Sequence, residues 1–193
     1  WTQQQPAWNK GQHATAAALK AMEQGMPFAL RGVDSDNGPE FLNWHLLTLW
    51  RDRDPAIDVT RSRPYHKNDN AHVEQKNLTH IRLFLGWGRI APMSVVEPLN
   101  ALMADWSLWN NLYSPSLKLL SKTRDQAQVK RKWEARAATP AQRVLNHEES
   151  SVETRERIEQ AIADNDPLTL KKSIEVKLSE VHRQMADYAQ ASA

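Results

Sequence analysis

Phe28-Ala29-Leu30-Arg31-Gly32-Val33-Asp34-Ser35-Asp36-Asn37-Gly38-Pro39-Glu40-Phe41 decides how the chain reads. Its first part is short, apolar at the start and contains Val33, which predicts a buried strand over Phe28–Asp36. Ser35-Asp36-Asn37-Gly38 is a turn signal. From Glu40 to Arg51, Phe41, Trp44, Leu47 and Leu49 or Trp50 recur at helical spacing. A strand, a polar turn and a helix in so short a span are an α/β signature. Upstream, Gln12–Gln24 is rich in Ala and carries Leu19 and Met22, which predicts a helix closed by Gly25, with Pro27 barring continuation. Downstream, Ile57–Arg61 alternates and is rich in branched residues, so it predicts a second strand. Ser62–Ala71 holds Pro64, Asn68, Asp69 and Asn70 and reads as a loop. A helix is expected over His72–Leu85, with Asn70 or Asp69 as N-cap and Val73, Ile81, Phe84 and Leu85 as its apolar side.

The cleanest periodicity runs from Met93 to Tyr113, where Val96, Leu99, Leu102, Met103, Trp106, Trp109 and Tyr113 recur at three and four. Its tryptophans are expected in a core. Composition shifts after Leu120. Lys118–Arg136 holds Lys118, Lys122, Arg124, Lys130, Arg131, Lys132 and Arg136 against Asp125 and Glu134. Thr139-Pro140 and Asp166-Pro167 look like helix starts, with Pro at the first helical position. Leu170, Ile174, Leu178, Val181, Met185 and Tyr188 then form a stripe that suits a docked arm helix or, less simply, a short coiled-coil seam. The expected organisation is an α/β core over residues 1–120 and a helical, partly basic C-terminal arm over 121–193.

The chain has 193 residues, a formal net charge of +2 and no Cys. A general polybasic coat is thereby excluded, as are disulfide frameworks, Cys-ligated zinc, iron–sulfur clusters and thiol catalysis. No run of about 18 apolar residues is present, so no membrane association is expected, and a reducing, cytoplasmic setting fits. Residue 1 is Trp, and the chain is expected to be a fragment or a processed product.

Asp36 is expected at the end of a strand, facing the crevice where open α/β sheets bind ligands. Glu74 is expected in the first turn of a helix. Taken singly, an Asp before a helix commonly caps it, and a Glu in a first turn commonly favours the macrodipole. If the two carboxylates meet, a proton or a divalent cation must offset their repulsion. Magnesium takes oxygen ligands and is often shared with substrate phosphates. A pair of such ions about 3.5–4 Å apart can clamp the attacking and leaving oxygens of a phosphoryl displacement.

Ser35-Asp36-Asn37-Gly38-x-Glu40-Phe41, then Pro64-Tyr65-His66, then Val73-Glu74-x-x-Asn77 together resemble the catalytic core of the retroviral-integrase superfamily, specifically insertion-sequence transposases with a DDE triad. The resemblance covers roughly residues 1 to 113. It implies a ribonuclease-H-like fold, a mixed sheet with flanking helices, and DNA transposition or integration by metal-dependent strand cleavage and transfer. It implies that Asp36 is the second acid and Glu74 the third, both catalytic and both ligands of Mg2+ or Mn2+, and that Asn77 matches the Asn one turn after that Glu. Asp34, two residues earlier on the same face of an extended strand, competes with Asp36, and the Asp-Asn-Gly sequence favours Asp36. The family's first Asp lies on a strand with no counterpart here. The core is therefore expected to be N-terminally truncated and incomplete in its first strands, and this chain inactive and poorly stable alone.

Arg61, Arg63, His66, Lys67, Lys76 and Arg82 lie around the acids in sequence and, with Asn77, are the candidate DNA-binding residues; such side chains suit phosphates. The expected partners are element ends and target DNA, with a homo-oligomer in the parent protein. The alternative is a catalytically inactive relic that binds DNA or an intact transposase. His72-Val73-Glu74 superficially matches zinc deaminases, but these need cysteine ligands. His66, Asp69, His72 and His80 match no strong zinc spacing.

Overall fold

The structure is a computed structural model and describes every residue except 36, 37, 39–47, 49, 64–74, 89, 91, 126, 127, 192 and 193. Helix α1 (Gln12–Gln24) has the expected bounds, and the N–H of Gly25 closes it on the carbonyls of Ala21 and Glu23. None of its residues is fully buried. Strands β1 (Gly32–Ser35) and β2 (Asp58–Arg61) pair in parallel, with Val33 opposite Val59, Asp34 opposite Thr60 and Ser35 opposite Arg61. The first strand is thus shorter than expected, and only half-buried. Val33 and Val59 pack with Ala16, Leu19 and Leu30 on the buried Trp50 and Ile57. Asp34 and Thr60 occupy the other face and hydrogen-bond to each other, Thr60 Oγ1 donating to Asp34 Oδ1 over 2.8 Å. That polar pair on the outer face is why the strand is not buried on both sides.

Thr48, Trp50 and Arg51 are helical, and the remainder of the helix expected over Glu40–Arg51 lies mostly outside the described residues. So do most of the loop expected over Ser62–Ala71 and the start of the helix expected from His72. Its described end winds through a π-helical segment, Leu78–Arg82, into α2 (Leu83–Leu85). Leu85 is buried, with Ile81 and Phe84 packed alongside.

A 3-10 turn, Met93–Val95, leads into α3 (Val96–Tyr113), the central strut of the molecule. One side of it buries Leu99, Leu102 and Met103 against Leu170, Ile174 and Val181 of the long C-terminal helix. Trp106 stacks flat on Phe84 with centroids 3.9 Å apart, and both tryptophans are packed on this core as expected. The polar residues of α3 do a second job that periodicity does not reveal. Asn111, 1% exposed, accepts from the Thr2 N–H at 2.8 Å and donates to the Thr2 carbonyl at 2.6 Å. Ser107 Oγ donates to Gln4 Oε1 at 2.6 Å, and Asn100 Oδ1 accepts from Gln5 at 2.7 Å. The first residues thus run along α3, held by these hydrogen bonds.

The C-terminal part, expected as a helical, partly basic arm, also contains strands. It begins as an antiparallel hairpin, β3 (Leu119–Asp125) with β4 (Gln128–Trp133), in which every described residue is exposed. Three helices follow: α4 (Pro140–Leu145), α5 (Val152–Asp164) and α6 (Pro167–Ala191). Both Pro-marked starts are where the sequence puts them. Thr139 and Gln142 form a reciprocal capping box, and Asp166 accepts from the Thr169 N–H at 2.7 Å. Leu112, Ala141 and Ile158 make a separate small core beneath α4 and α5. The stripe on α6 is spent within the chain: Leu170, Ile174 and Val181 are buried, Leu178 and Met185 are packed beside them, and Tyr188 is exposed. Lys177 and Ser173 both reach Asp105 of α3 at 2.6 Å. The architecture is mixed α/β, rich in helix, with two small sheets among the described residues. No described helix is long and apolar enough to cross a membrane.

Candidate functional site

Asp36, Glu74, His66 and Lys67 lie outside the described residues, as do His72 and Asp69. The described residues define the frame from which those segments depart. Because β1 and β2 are parallel and in register, Ser35 and Arg61 leave the sheet side by side at its carboxyl end. Buried Ser62 prolongs the contact, its N–H donating to the Ser35 carbonyl at 2.9 Å. Asp36 follows Ser35 directly in sequence, and the Arg63–Asn77 segment follows Ser62. Two stretches far apart in the chain therefore start from one edge. The crossover between the strands supplies this: a parallel pair brings equivalent ends together, whereas a hairpin would send them to opposite ends.

Asp34, the rival to Asp36, is engaged by the Thr60 hydroxyl across the pair. Among the described residues, no group of three His, Asp or Glu side chains is placed to hold a metal ion.

The candidate DNA-contacting residues that are described fall into two places. Arg61 ends β2 and is exposed, as is Arg63 just beyond it. Lys76, Asn77 and Arg82 lie on the helix that follows the Glu74 position in sequence. Lys76 Nζ lies 3.3 Å from His80 Nε2. Burial, and then the Lys76 ammonium, push the His80 pKa down, so the neutral imidazole can accept from that ammonium. The ring also stands edge-on to Trp106 at 6.4 Å between centroids. The Arg82 guanidinium lies over the exposed Trp87 ring, 5.7 Å from its centroid. Lys76 also lines a cavity of about 820 Å3 whose walls include Arg31, Lys118 and Arg143.

The basic run noted in the sequence has a geometry that its composition conceals. Glu134, just past β4, is clamped by the Arg143 guanidinium, whose Nη2 is 2.6 Å away, and accepts from the Lys118 N–H at 2.8 Å. Arg143 also donates to the Ser116 carbonyl at 2.7 Å, and Ser116 and Ala138 exchange backbone hydrogen bonds at 3.0 and 3.2 Å. The root of the hairpin is thus tied to α4, while its length projects into solvent.

A protein of Sinorhizobium fredii described as "uncharacterized protein y4rM" is 38% identical to the chain over 133 residues, which is 69% of this chain. The chain spans 37% of that relative's length. No protein-family model matches the chain, and no solved structure does.

Proposed function

We propose that the chain carries part of the catalytic core of a DNA transposase, one that cuts and joins DNA strands with divalent metal. The observation that carries the reading is the parallel β1–β2 pair, from whose carboxyl end the Asp36 motif and the Glu74-bearing segment both depart. In this reading the core is ribonuclease-H-like. Asp36 and Glu74 hold Mg2+ or Mn2+, which supplies charge stabilisation for a phosphoryl displacement. Their donor set fits such an ion, since carboxylates from separate segments leave room for water and phosphate oxygens. Water or a DNA 3′-hydroxyl is the nucleophile. Arg61, Arg63, Lys76 and Arg82, with His66 and Lys67, neutralise phosphates along the DNA path, and Asn77 sits one turn beyond Glu74.

The test has two arms. The 193-residue chain is titrated with Mn2+ while free metal is followed by electron paramagnetic resonance. We expect a bound ion that Asp36→Asn and Glu74→Gln each release, at least tenfold weaker in affinity. In the longer parent protein, Glu74→Gln should abolish strand joining in Mg2+ while duplex binding persists. Joining that survives this substitution would remove Glu74 from the mechanism.

A further inference from the structure

Two-stranded hairpins are marginal in water unless something packs on them. The β3–β4 hairpin has every described residue exposed. Its strongest contacts are internal, and its root is tied down through Glu134 and Arg143. Its sequence adds to the cost. Lys122 stands directly opposite Arg131, a like-charge pair that disfavours the ladder. Over Leu119–Trp133 it carries Lys122, Arg124, Lys130, Arg131 and Lys132 against a single carboxylate, Asp125. Among the described residues, Lys122, Lys130, Arg131 and Lys132 make no ion pair. A polyanion would relieve both conditions at once.

The register favours a polyanion that meets both faces of the ribbon. Side chains opposite each other share a face, and successive residues alternate. Lys122, Arg131 and Arg124 therefore lie on one face, and Lys130 and Lys132, opposite Thr123 and Ser121, on the other. An anionic membrane or a flat acidic protein surface meets only one face of a ribbon. A groove of duplex DNA has phosphates along both walls and is wide enough in its major form to admit a two-stranded ribbon. The root also lies where such a partner would continue, since Lys118 shares the cavity wall with Lys76 and Arg31.

We propose that the β3–β4 hairpin is a DNA-docking ribbon that enters a groove of the duplex, with Lys122 and Arg131 meeting phosphates on one wall and Lys130 and Lys132 on the other. The choice of DNA as the polyanion rests on the function proposed above; the ribbon's charge and geometry do not.

The experiment measures binding of the 193-residue chain to a 30-base-pair duplex by fluorescence anisotropy, in EDTA, between 50 and 200 mM salt. Each neutralised phosphate contact contributes about 0.9 to the slope of log affinity against log salt. Lys122→Ala/Arg131→Ala and Lys130→Ala/Lys132→Ala should each lower that slope by about 1.8 and weaken binding at 100 mM salt by about tenfold or more. Lys171→Ala/Lys172→Ala on the exposed side of α6 should leave the slope unchanged. Far-ultraviolet circular dichroism checks that the fold persists, as expected for substitutions at exposed positions. Equal losses in the α6 control, an effect confined to one face of the ribbon, or no duplex binding by the unaltered chain would each overturn the proposal. So would loss of binding to phosphatidylserine vesicles in the ribbon variants with duplex affinity intact. Glu74→Gln, included in parallel, should keep the full slope without metal. A ribbon that binds while Glu74→Gln leaves metal affinity unchanged would sink the catalytic reading alone.

Discussion

Glu134 shows how one carboxylate positions an element. Its pKa is held at about 2, below the ordinary 4.5, first by the hydrogen bonds from Arg143, then by the backbone N–H of Lys118. A carboxyl depressed in the folded state binds fewer protons there than in the unfolded chain, so its contribution to stability is fully present above the ordinary value and is lost as pH falls toward 2. Glu134→Gln should therefore lower the melting temperature at pH 7 by a few degrees, and the gap from the unaltered chain should close between pH 4.5 and 2. A gap that stays constant across that range would mean the clamp does not depend on the charge. Asp105 is a second such residue, receiving both Lys177 and Ser173 at 2.6 Å and so fixing the rotation of α6 on α3. Neither pairing is visible in the sequence, because nothing in the spacing of Glu134 and Arg143, or of Asp105 and Lys177, marks them as partners.

At the level of elements, what could be read was whatever a buried face or a cap writes into the sequence. Gln12–Gln24 matched residue for residue because Ala-rich propensity and Gly25 agree. Pro140 and Pro167 open helices because Thr139 and Asp166 cap them. The β3–β4 hairpin escaped because strand recognition depends on alternation, and a ribbon exposed and cationic on both faces does not alternate. The motifs around Asp36 and Glu74 are a reading of the sequence, and of the frame they adjoin the two short strands were legible, one apolar at its start and the other rich in branched residues. The pairing itself was not, since β1 and β2 are too short for sequence to fix their register. Docking of α6 on α3 makes a sharp prediction. Ile174, 6% exposed in the core, should cost about 2–5 kcal/mol on truncation to Ala. Val176, 70% exposed two residues on, should change stability by no more than about 0.5 kcal/mol as Val176→Asp. Urea midpoints compare the two. A large cost at Val176 instead would mean that the outer side of α6 is covered in solution.

Across the whole molecule, buried apolar mass is unevenly shared. Among the described residues, the core around α3 and α6 buries Leu85, Val95, Leu99, Leu102, Met103, Leu170, Ile174 and Val181, whereas the core under the parallel pair buries Trp50 and Ile57. Local opening free energies follow such differences. The amides of β1 and β2 should accordingly exchange with solvent faster than those of α3 and α6, the pair opening while the helical body stays closed. The same weakness makes the pair a reporter for the proposed chemistry. A ligand that binds only the closed form slows opening by a factor of one plus its concentration over Kd. Mg2+ at 100 times its Kd should then slow exchange at Val59, Thr60 and Arg61 about 100-fold and leave Leu102 and Ile174 unaffected. Asp36→Asn, at least tenfold weaker in affinity, should cut the slowing to about tenfold or less. Uniform slowing over the whole chain, or slowing undiminished without the Asp36 carboxylate, would place the cation elsewhere than the carboxyl end of the parallel pair.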